Sequence, residues 1–440
     1  MRRHVSPLLA VIASLWLLLL SGCATYSSSF KPIEREIIAQ RPEAALKLLE
    51  RQNLTGKDEL LHLLNKAMLL RMMEKYEESN SYFQQAKQFI KRNSATSITE
   101  NAASFLINDS TLAFIGDPFE QVFIHLYSAL NYLQLNQIDS ARVEALQVDI
   151  KLRQISSEKK SSLLNTDPFA RYLSGIIFED LHEWSDALIA YRKAYKAYQG
   201  HQKHYRTRVP SNLEKDLLRL SDYEGTRDEH DKYRKQFSIK NWLPQKELSQ
   251  LGEVILFIHN GLAPIKKEHT VGQAAPQGRL IRISLPYYKL RKNGFGTAHI
   301  KAVNSKQSTR SELVENINQI ALKTLQANMP EITARTLGRV IAKQATARKA
   351  EKQHAVAGLL LNVANFVTET ADTRSWLTLP GEIHLARMPL KPGTYTIELD
   401  MLGHHGQSLS RQTFNNVAIK RGRKTYLNHH WVSPAAQRRK

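Results

Sequence analysis

The strongest constraint on how this chain can fold is a spacing of small and aromatic side chains over residues 173–194. Gly175, Ala187 and Ala194 alternate with Phe178, Trp184 and Tyr191. On a helical period this puts small residues where two antiparallel helices must approach, with rings filling the gaps beside them. A more degenerate copy runs through Ala67, Leu70, Tyr76, Ser79, Phe83 and Ala86, and another through Ala129, Tyr132, Ile138, Ala141, Ala145 and Val148. A half-copy opens the series at Ala44 and Leu48. The units are unevenly spaced, so inserts over 93–117 and 156–167 separate them. Each insert closes on Asp-Pro-Phe, at 117–119 and 167–169. Asp at the cap with Pro in the first turn is a device for starting a helix.

The pattern resembles tetratricopeptide repeats, whose regular period is about 34 residues. The resemblance covers 32–243, where strand-like alternation is almost absent. Stacked repeats leave a concave groove, and the expectation is that this groove holds a protein partner. His201, His204, Tyr205, Arg206 and Arg208 read as a solvated basic loop between helices.

Beyond Pro244 the pattern changes. Residues 253–259 (EVILFIH) form a continuous apolar run before Asn260-Gly261, a strand and its turn. Residues 279–284 alternate as a half-buried strand, 299–303 form a weaker one, and 294–296 read as a hairpin turn. Later strands are expected at 382–387, 394–399, 408–414, 417–420 and 424–427, with Pro392-Gly393, Gly403, Gly406 and Gly422 between them. Seven or eight short strands suggest a small β-sandwich split by helices. The inserted helices are expected at 311–328, capped by Ser311, and from Pro330 onward. Arg335, Arg339 and Lys343 recur four apart, a basic stripe expected to meet anionic headgroups or an acidic partner. Residues 371–380 (ADTRSWLTLP) read as a packed junction in which Asp372 pairs with Arg374 and Trp376 is buried.

The sole cysteine, Cys23, bears on address rather than fold. Arg2 and Arg3, the apolar run 8–20 and Ser21-Gly22-Cys23 make a secretory signal peptide. At about 20 Å the run is short for a membrane-spanning helix. Its end resembles a bacterial lipobox, which implies cleavage between Gly22 and Cys23, acylation of Cys23 and, with Ala24 following, residence on the periplasmic face of the outer membrane. Residues 24–30 (ATYSSSF) read as a short tether. No cysteine remains for a disulfide, so the body is held by packing alone. The net charge of +21 then points to phospholipid, lipopolysaccharide or peptidoglycan anions rather than nucleic acid.

With Gly116-Asp-Pro-Phe-Glu120, Asn260-Gly261 and Ala371-Asp-Thr-Arg-Ser-Trp376, the lipobox resembles a family of uncharacterised bacterial lipoproteins with helical repeats ahead of a β-rich C-terminal part. The expected fold is α+β and multidomain. It comprises a signal (1–22), a lipidated tether (23–31), repeats (32–243), a first β segment (244–310), a helical insertion (311–375), a second β segment (376–432) and a basic tail (433–440). The expected function is a lipid-anchored scaffold with a periplasmic protein partner. The alternative is a peptidoglycan-associated regulator of a wall synthase or hydrolase, with wall or anionic lipid as further contacts. No esterase elbow, zinc motif or phosphate loop occurs, and His404-His405 and His429-His430 point to opposite faces if on strands. No enzymatic activity, cofactor or metal is expected.

Overall fold

The computed structural model describes residues 26–52, 56–97, 109–158, 167–205, 207–275, 279–303 and 305–432. Cys23, Gly22, the signal and the basic tail lie outside them. Ten helices pair in sequence as hairpins: α1 (Lys31–Ile38) with α2 (Pro42–Glu50), α3 (Glu59–Met72) with α4 (Tyr76–Ser97), and α5 (Pro118–Gln134) with α6 (Ile138–Glu158). The series continues with α7 (Pro168–Asp180) and α8 (Trp184–Tyr205), then α9 (Ser211–Tyr223) and α10 (Arg227–Gln236).

The five hairpins share one turn. Gln40, Glu74, Asn136, His182 and Gly225 all have φ between 56° and 72°. In each, the following residue donates its N–H back to a carbonyl of the first helix, as in Lys75 to Leu70 and Glu183 to Phe178, both at 2.9 Å. These are Schellman closures, which satisfy the otherwise orphaned last carbonyls. The two Asp-Pro-Phe sequences start α5 and α7 as expected. Asp117 and Glu120 form a capping box, and Asp167 Oδ1 accepts from Ala170 N–H at 2.8 Å.

The expected sandwich is present. One sheet has the order β10-β1-β7-β6, with β10 (Lys424–Trp431) parallel to β1 (Gly252–Asn260) and antiparallel pairing to β7 (Glu382–Leu390) and β6 (Glu312–Glu315). The other has the order β5-β4-β8-β9, from Ser308–Arg310, Phe295–Ala302, Gly393–Gly403 and Ser408–Ile419. Val254, Leu256 and Ile258 of β1 enter the core between the sheets, while Ile255 and Phe257 join the core of the helical array. That double covering explains the unbroken apolar run at 253–259.

Several expectations are corrected. Residues 279–284 belong not to the sandwich but to a separate hairpin of β2 (Ile265–Ala275) and β3 (Arg279–Lys289). Residues 312–315 are strand, and the long helix α11 (Ile317–Gln353) is capped by Asn316, whose side chain accepts from Gln319 N–H; Ser311 is not the cap. Pro330 does not open a new helix but lies inside α11. Pro330 and Gln326 are both exposed, so the carbonyl four residues back, left without its donor, faces water. Helix α12 (Ala355–Thr368) folds back on α11, and no helix among the described residues is long and apolar enough to cross a membrane. Segments 408–414 and 417–420 are one strand, continuous through Asn416 at φ 56°. Phe295 and Gly296 belong to β4, not to a turn. His201 and Tyr205 are buried and stacked with ring centroids 4.2 Å apart, not solvated. The tether is absent from Tyr26 on, since Tyr26 and Phe30 lie in the core and Asn65 donates to the Tyr26 hydroxyl.

Candidate functional site

The inner face of the repeats is the first place to seek a site, and it is occupied by the chain's own sandwich. Six buried charges alternate around a closed ring. Glu179 of α7 takes Arg219 at 2.8 Å, and Arg219 also takes Asp216 of α9. Asp216 meets Arg387 of β7, which meets Glu253 of β1 at 2.8 Å. Lys424 of β10 closes the ring, 2.7 Å from Glu253 and 2.8 Å from Glu179. Burial alone would raise the Glu253 carboxyl, but Arg387 and Lys424 outweigh it and bring it down to about 2. Trp376 is likewise buried, 1% exposed, with Phe83 of α4 and Tyr127 of α5 against its ring. The groove expected to hold a partner is filled.

An open space lies beside residues 370–374. A cavity of about 640 Å³ is bounded by the end of the first insert (112–117), by α11 from Thr324 to Arg339, and by 370–372 and Arg374, with Lys266 and Ser284 from the β2–β3 hairpin. A volume of that size suits a ligand or a short segment of chain. At one end Lys266 Nζ lies 3.1 Å from Asp117 and over the Tyr288 ring. Burial would lower the Lys266 ammonium, yet Asp117 and its neighbours hold its pKa up. Behind Asp117, Glu120 accepts from the N–H groups of Asp117 and Trp376, each at 2.7 Å, and burial pushes its carboxyl up to about 7.

Arg374 pins the insert in place. It donates to the carbonyls of Leu112 and Asp109, each at 2.9 Å, to Lys57 at 3.2 Å, and pairs with Asp372 at 2.7 Å. The junction expected at 371–380, with Asp372 on Arg374 and Trp376 buried, is therefore present. Phe114 N–H donates to Lys57 C=O at 2.9 Å. On either side of it, the N–H and C=O of Ala113 and the N–H of Ile115 make no hydrogen bond among the described residues. Thr324, 3% exposed in the wall of the cavity, has a hydroxyl without a partner.

The expected basic stripe is not a surface feature. Arg339 is 3% exposed and donates through Nε and Nη2 to Glu369, at 3.0 and 2.9 Å. Lys343 meets the same carboxylate at 2.8 Å, and only Arg335, paired with Glu331, stays largely in solvent. Helical spacing put the three on one line but could not show Glu369 arriving from 26–30 residues away. Arg335 and Arg339 line the cavity. Sequence reasoning passed over Lys266, Asp117 as an ion-pair partner, and the ring. A signal was available for one member: Glu253 is the lone charge in the apolar strand sequence 252–260, which demands a buried partner. No cluster of metal-binding side chains occurs among the described residues, and His430 stacks on His259 at 4.3 Å.

No family model matches the chain, and no curated protein matches it. Three solved structures are similar to parts of it. MamA RS-1 is 14% identical with a TM-score of 0.30, covering 48% of this chain and 89% of its own. A putative kinesin light chain from Podospora anserina with nearly identical TPR-like repeats is 14% identical with a TM-score of 0.32, covering 48% and 92%. BtubC from P. vanneervenii is 11% identical with a TM-score of 0.28, covering 52% and 95%. The repeat architecture of this chain is defined by its five hairpins and their shared turn.

Proposed function

We propose that this protein is a lipid-anchored scaffold on the periplasmic face of the bacterial outer membrane, carrying a protein partner on the outer side of its helical repeats. The observation that carries this reading is the pairing of a filled inner groove with an apolar stripe left outside. Val143, Leu146 and Ile150 follow one another along one face of α6 and are 55%, 42% and 49% exposed. Exposed aliphatic groups in a row on a rigid helix are what a partner surface covers. The anchor rests on the signal-like terminus and Cys23. Tyr26, only three residues on, is packed in the core, so acylation at Cys23 would hold the body close against the bilayer. The charge of +21 favours that approach to anionic headgroups.

Cell fractionation tests the anchor: Cys23→Ser should move the protein from the membrane to the soluble fraction. A photo-crosslinker at Val143 tests the scaffold: it should capture a discrete protein adduct that Leu146→Asp abolishes. Unchanged membrane residence would refute the first part. No adduct, with co-sedimentation on purified sacculi instead, would replace the second with a wall-binding role.

A further inference from the structure

The first hairpin of the array carries an inference of its own, resting on the anchored reading only for where that hairpin lies relative to the bilayer. Between α1 and α2 is an open groove of about 340 Å³, lined by Glu36, Arg41, Ala44, Lys47, Leu48 and Arg51 and by no other element of the described chain. Ala44, Lys47, Leu48 and Arg51 recur three and four apart, along one face of α2 and its C-cap. Half-buried Ala44 and Leu48 make an aliphatic floor, and the exposed Arg41, Lys47 and Arg51 stand around it.

The charges in this groove do not balance. Glu36, its one carboxylate, is taken by Arg41 at 2.7 Å. Glu43 does not line it, and Glu50 is turned to Lys66, also at 2.7 Å. Lys47 and Arg51 make no ion pair or side-chain hydrogen bond among the described residues, which leaves two positive charges over. Two free cations beside an aliphatic floor suit an anionic group joined to an apolar body.

What supplies that anion follows from where the chain enters the body. Gln52, next to Arg51, donates through Nε2 to the Ser29 carbonyl at 2.8 Å, so the Arg51 end of the groove lies beside the short turn of helix at Tyr26–Ser29. Tyr26 is three residues past Cys23, a span of at most about 11 Å. The headgroup layer is itself about 5–8 Å thick on each side of the hydrocarbon. An acyl chain on Cys23 therefore brings this end of the groove to the headgroups. We propose that the groove binds an anionic phospholipid of the leaflet that holds the acylated terminus, with Lys47 and Arg51 on the headgroup phosphate and Leu48 against the glycerol. A bound lipid gives the body a second point of attachment and so fixes its orientation on the bilayer.

The test uses the whole chain from residue 23 with Cys23→Ser, which carries no acyl group, and vesicles of phosphatidylcholine alone or mixed in equal parts with phosphatidylglycerol. The protein should co-sediment with the mixed vesicles at least tenfold better than with the neutral ones. Lys47→Glu with Arg51→Glu should weaken that binding at least tenfold, and Lys47→Gln with Arg51→Gln at least threefold. Arg348→Glu with Lys352→Glu makes the same change of charge on exposed residues near the end of α11 and should stay within twofold. An environment-sensitive dye on Glu43→Cys, the only thiol once Cys23 is serine, should shift to the blue on the mixed vesicles, while the same dye on Gln147→Cys of α6 should not. The dye leaves both cations in place, so it decides the matter if the charge variants unfold. Equal losses from the two charge-reversed pairs, unchanged binding of the Lys47 and Arg51 variants, or equal dye shifts at both positions would overturn the proposal. Inorganic phosphate should displace no more protein than chloride at equal ionic strength, and preferential displacement would overturn the lipid in favour of a soluble phosphate. With no acyl chain present, the outcome is independent of the fractionation test, so failure of the anchor and failure of the groove are told apart.

Discussion

Arg387 grips Glu253 in a two-pronged fork, Nε to Oε1 at 2.8 Å and Nη2 to Oε2 at 2.9 Å, and spends its remaining nitrogen on Asp216 and the Tyr172 hydroxyl. One side chain of β7 thus ties a neighbouring strand to helix α9 of the repeats. Because the ring alternates in sign, removing Arg387 leaves Asp216 and Glu253 buried with one cation each and the ring one negative charge in excess. Arg387→Met should therefore cost about 3–5 kcal/mol, the range for breaking a buried pair. The midpoint of urea unfolding reads this out. A loss within the range of a surface pair, about 1 kcal/mol or less, would show that the ring does not join the two halves.

The same ring sets the acid limb of the stability profile. The folded Glu253 carboxyl is depressed to about 2, and Glu179 is also held well below its ordinary value because Arg219 and Lys424 outweigh the effect of burial. A depressed folded value means the stabilisation is present above the unfolded value of about 4.3 and is lost as pH falls through the folded one. Melting temperature should fall steeply between about pH 4 and pH 2. Arg387→Met should flatten that slope, and an acid limb of equal steepness in the variant would assign it to other groups.

Glu120 acts on the opposite limb. Burial raises its folded value to about 7, so a proton is held more tightly in the folded state. The stabilisation is then complete below the unfolded value and declines as pH rises through 7. Near pH 8 the penalty is on the order of 3 kcal/mol, from the 1.36 kcal/mol attached to each pKa unit. Glu120→Gln keeps a neutral acceptor for the capping box at every pH, so it should gain on wild type as pH rises from 5 to 8. Parallel melting curves for the two proteins across that range would refute the assignment.

Gly175 and Tyr191 give the packing test. A Cβ on Gly175 would sit 2.3 Å from the Tyr191 ring, whose hydroxyl is fixed by Glu179 at 2.6 Å. The ring cannot swing away without giving up that bond, so Gly175→Ala should cost about 1–3 kcal/mol by overpacking. Gly200, on the partner helix with open space around it, is the control and should tolerate alanine.

The legible parts of this fold were those written in local periodicity. The small and aromatic spacing located the three central hairpins, and Asp-Pro-Phe located two helix starts, because both depend on neighbours within about one turn. The 253–259 strand was legible from its composition, although its double covering by sheet and helices was not. What stayed hidden depends on distant pairing. Segment 312–315 is strand because Leu385 and His384 of β7 are there to receive it, and nothing in the sequence Glu-Leu-Val-Glu separates that from the first turn of a helix. Arg339 reads as surface until Glu369 is placed beside it. The cavity is legible in no single segment, since its walls come from four stretches far apart in the chain, 109–117, 266–286, 324–339 and 370–374.

The hairpin turns show the same limit from the other side and give a last prediction. Glycine is the usual marker of a left-handed helix end, yet only Gly225 of the five turns carries it. A non-glycine residue there pays about 1–2 kcal/mol in strain, and glycine in its place returns roughly 0.5–1 kcal/mol of that through a floppier unfolded chain. Glu74 lies between α3 and α4 at φ 60°, and no hydrogen bond or ion pair of its side chain is present among the described residues. Glu74→Gly should therefore raise stability by about 0.5 kcal/mol. His182 should behave differently. Its ring lies 3.3 Å from the Gly422 carbonyl and packs on Trp184 with centroids 5.0 Å apart, tying the turn to the sandwich. His182→Gly gains the same relief and loses those contacts, so its unfolding midpoint should not rise. A matching rise in both variants would show that the His182 ring contributes nothing to holding the sandwich in place.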